Sequence, residues 1–230
     1  MELAEDICIL VPSCDKNEDL FYPFYHCMEK YWPDHPKVYY STETIKNPYY
    51  ETFSFDYPLS SWAKRVLESV NKIDSPYVLL MVDDIFIRQK VNNRLIHSLP
   101  FYFSENVAAI NFEFLFDLRD EFVQDFIFKR NPIGRYKNSM MCQLWCKKKL
   151  KTILSYKNGE LDPWGVEAAN YNAGFDYLIT PTGILNFGKY KTNDWRNWGV
   201  FHGLWAPSTV DFLKSEGLAI DFSKRGILQL

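Results

Sequence analysis

Tyr77-Val78-Leu79-Leu80-Met81-Val82-Asp83-Asp84-Ile85-Phe86 is the stretch on which the fold turns. Six apolar residues in a row are far short of the ~20 needed to span a bilayer. Bounded by Ser75-Pro76, they have the length and composition of a strand buried on both faces. The strand then delivers two adjacent carboxylates, which repel each other and lose hydration unless a cation or hydrogen-bond donors satisfy them.

Upstream, Ile7 to Val11 is a second all-apolar run, ended by Pro12, with a polar loop over 13–17 behind it. From about Asp19, Phe24, Met28 and Tyr31 recur at helical spacing, and Trp32-Pro33 must stop that helix. Lys37 to Thr42 has strand composition. Strand, helix, strand is a βαβ unit and predicts a parallel sheet. Residues 43–59 have the Tyr/Pro-rich composition of an irregular connection. Ser60 or Ser61 then suits an N-cap, opening a helix over 62–73. Its spacing places Trp62, Val66, Val70 and Ile73 on one face and leaves Lys64 and Arg65 off it. A helix near 91–99 and a strand near 107–112 complete the first half.

The second half is less regular. Residues 122–128 and 140–147 have extended composition, and 148–156 suit a short basic helix. Pro163 fits the first turn of a helix through Ala173 that Gly174 closes. A strand near 177–179, a Gly/Trp/His-rich stretch over 186–205 and a last helix from about Pro207 follow. With 230 residues and no linker or repeat, a single α/β domain is expected over 1–230. Its halves divide near residue 112.

Composition narrows the function. At 47% hydrophobic and 24% charged residues the chain can pack a core. Five cysteines (Cys8, Cys14, Cys27, Cys142, Cys146) at scattered spacings are neither a disulfide framework nor a zinc site, which favours reduced thiols and a cytoplasmic setting. The acidic start, MELAEDICIL, lacks the basic flank of a signal peptide. A net charge of −3 argues against nucleic acid as partner. It conceals a band from Lys129 to Lys151 with eight basic residues and no acids, leaving 18 basic against 29 acidic residues elsewhere. Such a band suits an anionic partner, or is simply a solvated cationic face. The 18 Phe, 15 Tyr and 7 Trp fill a core, and they also suit sugar binding, since flat rings stack on pyranose C–H faces.

Several residues could carry chemistry, each with a structural alternative. Asp83 and Asp84 lie where open sheets bind ligands, beyond a strand's carboxyl end. Carboxylates with substrate phosphates hold Mg²⁺ or Mn²⁺, whereas an Asp pair can also merely cap a turn. Ser61-Trp62-x-x-Arg65 offers a ring for a base and a guanidinium for phosphate, or is an ordinary helix. Pro12, Ser13 and Asp15 end the first strand at the same sheet edge and could reach a ribose or base, or form a plain turn. In Asp162-Pro163-Trp164-Gly165-Val166-Glu167, Glu167 suits a catalytic base and Trp164 a sugar platform, although an acid in a first helical turn is favourable by itself. His202, beside Trp205, could be a third metal ligand or a satisfied structural histidine.

Taken together, strand–loop–helix–strand, S-W-x-x-R, Y-V-L-L-M-V-D-D-I-F, P-W-G-V-E and a late H-G resemble a bacterial GT-A-fold glycosyltransferase of capsule, O-antigen and lipooligosaccharide synthesis. The resemblance spans about Ile7 to Trp205 and is most specific over Ser61 to Phe86. It implies a GT-A-like, Rossmann-like, mostly parallel central sheet flanked by helices, with a less regular C-terminal acceptor-binding half. It also implies a nucleotide-sugar donor on residues 1–112 and a glycan or lipid-linked acceptor on 113–230. By the same resemblance, Asp83 and Asp84 hold metal and diphosphate, Glu167 is the base of an inverting reaction, and His202 completes the metal shell. The motif is D-D-I where the family shows D-x-D, which leaves open which carboxylate meets the metal. Two other classes stay open: a metal-dependent nucleotidyl or phosphoryl transferase, against which the lack of a Gly-rich phosphate loop speaks, and a non-catalytic carbohydrate-binding protein. The basic band could contact the anionic inner membrane peripherally.

Overall fold

In the strand β1 (Ile7–Pro12) every residue is buried. Ile7, Ile9 and Val11 enter one apolar layer while Cys8 and Leu10 enter another, which is why the run is apolar throughout rather than alternating. The computed structural model of the chain describes residues 6–112, 119–124, 127–130, 138–168, 174–180, 184–185, 187 and 199–229. A 3₁₀ turn (Asp15–Leu20) leads from β1 into α1 (Phe21–Tyr31), then β2 (Val38–Thr42) and β3 (Glu51–Ser54). Next come α2 (Trp62–Asn71), β4 (Tyr77–Leu80), α3 (Asn93–Ser98) and β5 (Val107–Phe112). The second half runs β6 (Arg119–Gln124), β7 (Ile127–Arg130), β8 (Gln143–Cys146), α4 (Lys147–Leu154), α5 (Pro163–Ala168) and β9 (Asp176–Thr180). The small hairpin β10 (Val200–Phe201) and β11 (Leu204–Trp205) precedes α6 (Pro207–Ser215).

Among the described residues nine strands form one sheet in the order β3-β2-β1-β4-β8-β5-β9-β7-β6. The pairs β1–β2, β2–β3, β1–β4 and β5–β9 are parallel. Because β8 is antiparallel to both β4 and β5, and β7 to both β9 and β6, only β7 and β8 run against the rest. The sheet is therefore mostly parallel, as the βαβ start predicts. Burial of each aliphatic side chain in its two apolar layers contributes about 1.5–3 kcal/mol. On one side Phe21, Phe24, Cys27 and Met28 of α1 join Leu79 and Met81. On the other, Trp62, Val66 and Val70 of α2 and Leu150, Ile153 and Leu154 of α4 cover Val78 and Leu80.

Several local expectations differ. Residues 51–54, assigned to an irregular connection, form β3, because β2 offers a free edge with which Thr52 and Phe53 pair. Residues 122–128 are not one strand but parts of the antiparallel pair β6 and β7. Strand β4 stops at Leu80, so the two aspartates follow a short extended link rather than the ladder itself. Neither serine caps α2: Ser61 makes no side-chain cap, and its Oγ donates to Glu160 at 2.5 Å. The expected end of the α5 helix over 169–173 lies outside the described residues.

Candidate active site

Strand order turns back on itself at β1: β2 and β3 lie to one side, β4 to the other. At such a switch point the loops leaving neighbouring strands diverge and open a crevice. Ser13, just after β1, and Asp83, just after β4, meet there. Ser13 Oγ donates to Asp83 Oδ2 at 2.5 Å, and Asn17 Nδ2 donates to Asp83 Oδ1 at 3.0 Å. Asp83 is 2% exposed. Both of its oxygens are thus engaged by donors from the β1 loop, while Asp84 is half-buried.

Burial pushes the Asp83 carboxyl up to about 7, helped by the neighbouring Asp84 charge and opposed by the Ser13 and Asn17 donors. Burial likewise lifts Asp84 to about 6, against a backbone hydrogen bond and the Arg225 charge. Opposite this acidic pair the thiol of Cys14 is raised by burial and by the Asp83 and Glu43 charges, which keeps it protonated. All five cysteines are free thiols.

Arg65 is turned inward rather than toward solvent. It is 2% exposed, pairs through Nη1 with Glu43 at 2.6 Å and donates from Nη2 to the Ser13 carbonyl at 2.7 Å. The helical period that sets it off the apolar face overlooks that an arginine can turn inward when a carboxylate and a carbonyl wait there. Asp15 is likewise occupied: its carboxylate accepts from Thr44 N at 3.0 Å, Thr44 Oγ1 at 2.5 Å and Ile45 N at 3.2 Å, tying the β1 loop to the β2 loop. Trp62 is 6% exposed and packs in the core, so no ring face is open to a base. Pro12 is buried as the last residue of β1.

Glu167 is the fifth residue of α5, and Asp162 is the acid that starts the helix, accepting the Gly165 N–H at 2.5 Å. Glu167 Oε1 accepts the Met140 N–H at 3.0 Å. Met140 precedes β8, whose Gln143 pairs with Leu80, so Glu167 reaches the same sheet edge as the aspartates. Trp164 is 66% exposed and has a face available to a ligand. Trp205 does not: fully buried, it stacks on Phe86 at 6.2 Å and packs edge-on to Phe222. His202 is exposed, with a φ of 48° at the turn between β10 and β11. Among the described residues no three His, Cys, Asp or Glu side chains assemble as a metal-ligand set, so the structure does not gather His202 with the aspartates. Trp195 and Trp198, which with Trp205 flank His202 in the sequence, lie outside the described residues.

Asp84 with Asp83 behind it suits a hard divalent ion, Mn²⁺ or Mg²⁺, that takes its other ligands from water and phosphate oxygens. The raised carboxyls fit that need, since a cation would offset the cost of burying two charges together.

Four residues of this site escape sequence reasoning. Glu43 carried a signal, since it follows β2 at the same sheet edge. Asn17 sits in the polar loop but its spacing is not diagnostic. Gly199 pairs with Ile85, and a Cβ there would lie 1.4 Å from the Asp84 carbonyl oxygen. Arg225 comes from the far end of the chain.

The basic band divides. Lys147 Nζ donates to the Ile73 carbonyl at 2.6 Å, and Lys149 Nζ to those of Glu105 and, at 2.9 Å, Val107. Lys148 and Lys151 are exposed and, with Thr152, Tyr156 and Lys157, line an open cleft of about 590 Å³ on the helix-covered face. Arg135 and Lys137 lie outside the described residues.

No family model and no curated protein matches this sequence. Several solved structures are similar to it at low identity. CMP:2-keto-3-deoxy-manno-octonic acid synthetase, solved in complex with CTP, is 12% identical with a TM-score of 0.52, over 93% of this chain and 100% of that one. TarS of S. aureus is 10% identical with a TM-score of 0.47, over 78% of this chain and 36% of that one. The galactosyltransferase LgtC, solved with donor and acceptor sugar analogues, is 12% identical with a TM-score of 0.42, over 96% of this chain and 84% of that one. The first likeness shows the class of fold: an α/β domain built on a mostly parallel sheet flanked by helices. At this identity it extends no further than the fold.

Proposed function

We propose that this chain is a glycosyltransferase that moves a sugar from a nucleotide-sugar, a UDP-sugar in the first instance, to a glycan or lipid-linked acceptor in bacterial surface polysaccharide synthesis, with inversion. The observation that carries this reading is the contact between Ser13 and Asp83 at the sheet's switch point, with the less buried Asp84 beside them. Nucleotides bind at such crevices in open α/β sheets. In this reading Ser13, Asn17 and Asp83 form the inner wall of the donor site, and Asp84 faces the diphosphate.

Asp84 and Asp83 would hold Mn²⁺ or Mg²⁺, which when bound would supply Lewis-acid stabilisation of the diphosphate. Arg65 acts indirectly, by holding the Ser13 carbonyl and hence the β1 loop. Glu167 takes the proton of the acceptor hydroxyl, its carboxylate fixed by the Met140 N–H rather than left free to rotate. Trp164 is the acceptor's stacking platform. The exposed Lys148 and Lys151 of the basic band face an anionic inner-membrane surface that carries a lipid-linked acceptor. No helix among the described residues is long and apolar enough to cross a membrane.

Thermal-shift screening of UDP, GDP and CMP with and without Mn²⁺ tests the reading. Stabilisation by one nucleotide only when Mn²⁺ is present supports it, and no shift with any of them counts against it. Release of pyrophosphate from a nucleoside triphosphate and a sugar phosphate would identify nucleotidyl transfer instead.

A further inference from the structure

Arg225 lies 142 residues beyond Asp83, yet it completes the donor wall. Its Nε donates to Asp19 Oδ2 at 2.7 Å and its Nη2 to Asp19 Oδ1 at 2.5 Å, a bidentate fork that fixes the guanidinium plane. The same Nη2 reaches the Lys16 carbonyl at 2.8 Å and Asn17 Oδ1 at 3.0 Å. A primary amide has one acceptor end and one donor end. Since Arg225 can only donate, it claims the Asn17 oxygen, and the Asn17 Nδ2 is thereby turned onto Asp83 Oδ1 at 3.0 Å.

The segment carrying Arg225 is itself anchored. Trp205 N donates to the Gly226 carbonyl at 3.0 Å and Leu228 N to the Trp205 carbonyl at 2.9 Å, with Phe222 packed edge-on against the buried Trp205 ring. The tail therefore delivers one guanidinium to the β1 loop, which Arg65 and the Asp15 contacts to Thr44 and Ile45 hold at other points.

We propose that Arg225 is a positioning residue of the donor site: it sets the orientation of the Asn17 amide, and through it the carboxylate plane of Asp83, for the incoming nucleoside diphosphate. This rests on the donor-site reading above for its functional half. Its geometric half stands alone.

The test uses the full chain with UDP, GDP and CMP plus Mn²⁺, and follows whichever nucleotide the wild type binds. Arg225→Met frees the amide to flip. Asn17→Asp keeps the volume and the acceptor for Arg225 but turns an oxygen toward Asp83 in place of a donor. Each should weaken nucleotide binding about 10–100-fold, the cost usual for an outer-shell partner of a ligand residue. The double variant should be within about threefold of the weaker single one, since both break one chain of contacts. Free guanidinium should restore Arg225→Met and leave Asn17→Asp unchanged. Wild-type affinity in Arg225→Met, or fully additive losses, would overturn the proposal. If Arg225→Met does not fold, Asn17→Asp carries the test by itself, and wild-type affinity there overturns it.

The geometric half is read without ligand, from the Asn17 side-chain amide in ¹⁵N spectra. Its protons should be exchange-protected in the wild type and lose protection in Arg225→Met, or in Arg225→Lys, whose single ammonium cannot reproduce the fork. Unchanged protection sinks the positioning role. A wild type that binds none of the nucleotides sinks the donor-site reading instead, whatever the spectra show.

Discussion

Ser13 Oγ and Asp83 Oδ2 stand 2.5 Å apart although 70 residues separate them. The contact exists because β1 and β4 are parallel neighbours, with Leu10 opposite Leu80, so that both chains leave the sheet at one edge. A hydroxyl from one loop then answers a carboxylate from the other.

The acidic pair makes stability depend on pH in a defined sense. Carboxyls raised to about 7 and about 6, from an ordinary value of 3.8, bind protons more tightly in the folded chain than in the unfolded one. Their contribution is complete below the ordinary value, declines as pH rises through that window and is lost above about 7. Tm measured from about pH 5 to about pH 8 should fall across this range in the wild type and flatten in Asp83→Asn/Asp84→Asn. A slope unchanged in the double variant would show that neither group titrates as described.

Breaking the Arg65–Glu43 pair should be costly. Arg65→Met leaves Glu43, 23% exposed at its side chain, without its partner at 2.6 Å, and should lose about 3 kcal/mol in urea unfolding. Arg65→Met/Glu43→Met should recover most of that loss, since no charge is then left stranded.

Gly199 tolerates no side chain. Alanine there would drive its Cβ into the Asp84 carbonyl oxygen, 1.4 Å away, and break the Val200 N–H bond to that oxygen at 3.0 Å. We expect Gly199→Ala to lose about 3 kcal/mol or more, with backbone displacement at Asp84. Wild-type denaturation would contradict this packing.

Glu167 separates structure from chemistry. Glu167→Gln retains an acceptor for the Met140 N–H at 3.0 Å, so Tm should stay near that of the wild type while sugar transfer falls roughly 100-fold or more. Glu167→Ala should also lose about 1–2 kcal/mol by leaving that N–H unpaired. Transfer that survives in Glu167→Gln would remove it as the base.

Trp164, exposed and remote from the core, predicts the opposite pattern. Trp164→Ala should leave Tm and nucleotide binding unchanged and raise only the KM for acceptor. Loss of nucleotide binding would place it elsewhere in the site.

Much of the scaffold was legible in the sequence. The all-apolar runs at Ile7 and Tyr77 mark central strands, because only a strand covered on both faces drops the polar alternation. Residues 51–54 were not legible, since an edge strand with exposed ends needs only a neighbour to pair with and no apolar signature. Of the candidate site, Ser13 and the aspartates were legible from their place at strand ends. Trp62, Arg65 and Trp205 were misjudged because a type of side chain says what it can bind, not which way it points.

The chain's own pattern determined the βαβ start, the central strands and two carboxylates at a strand terminus, all of which follow from periodicities a few residues long. Tertiary packing alone decided that Asp83 is engaged and Asp84 less buried, that Arg65 turns inward to Glu43, and that Arg225 arrives from the far end to hydrogen-bond Asn17. The reason is physical: local spacing sets which face a residue occupies, whereas the partner of a buried polar group depends on whatever distant segment the fold brings within about 3 Å.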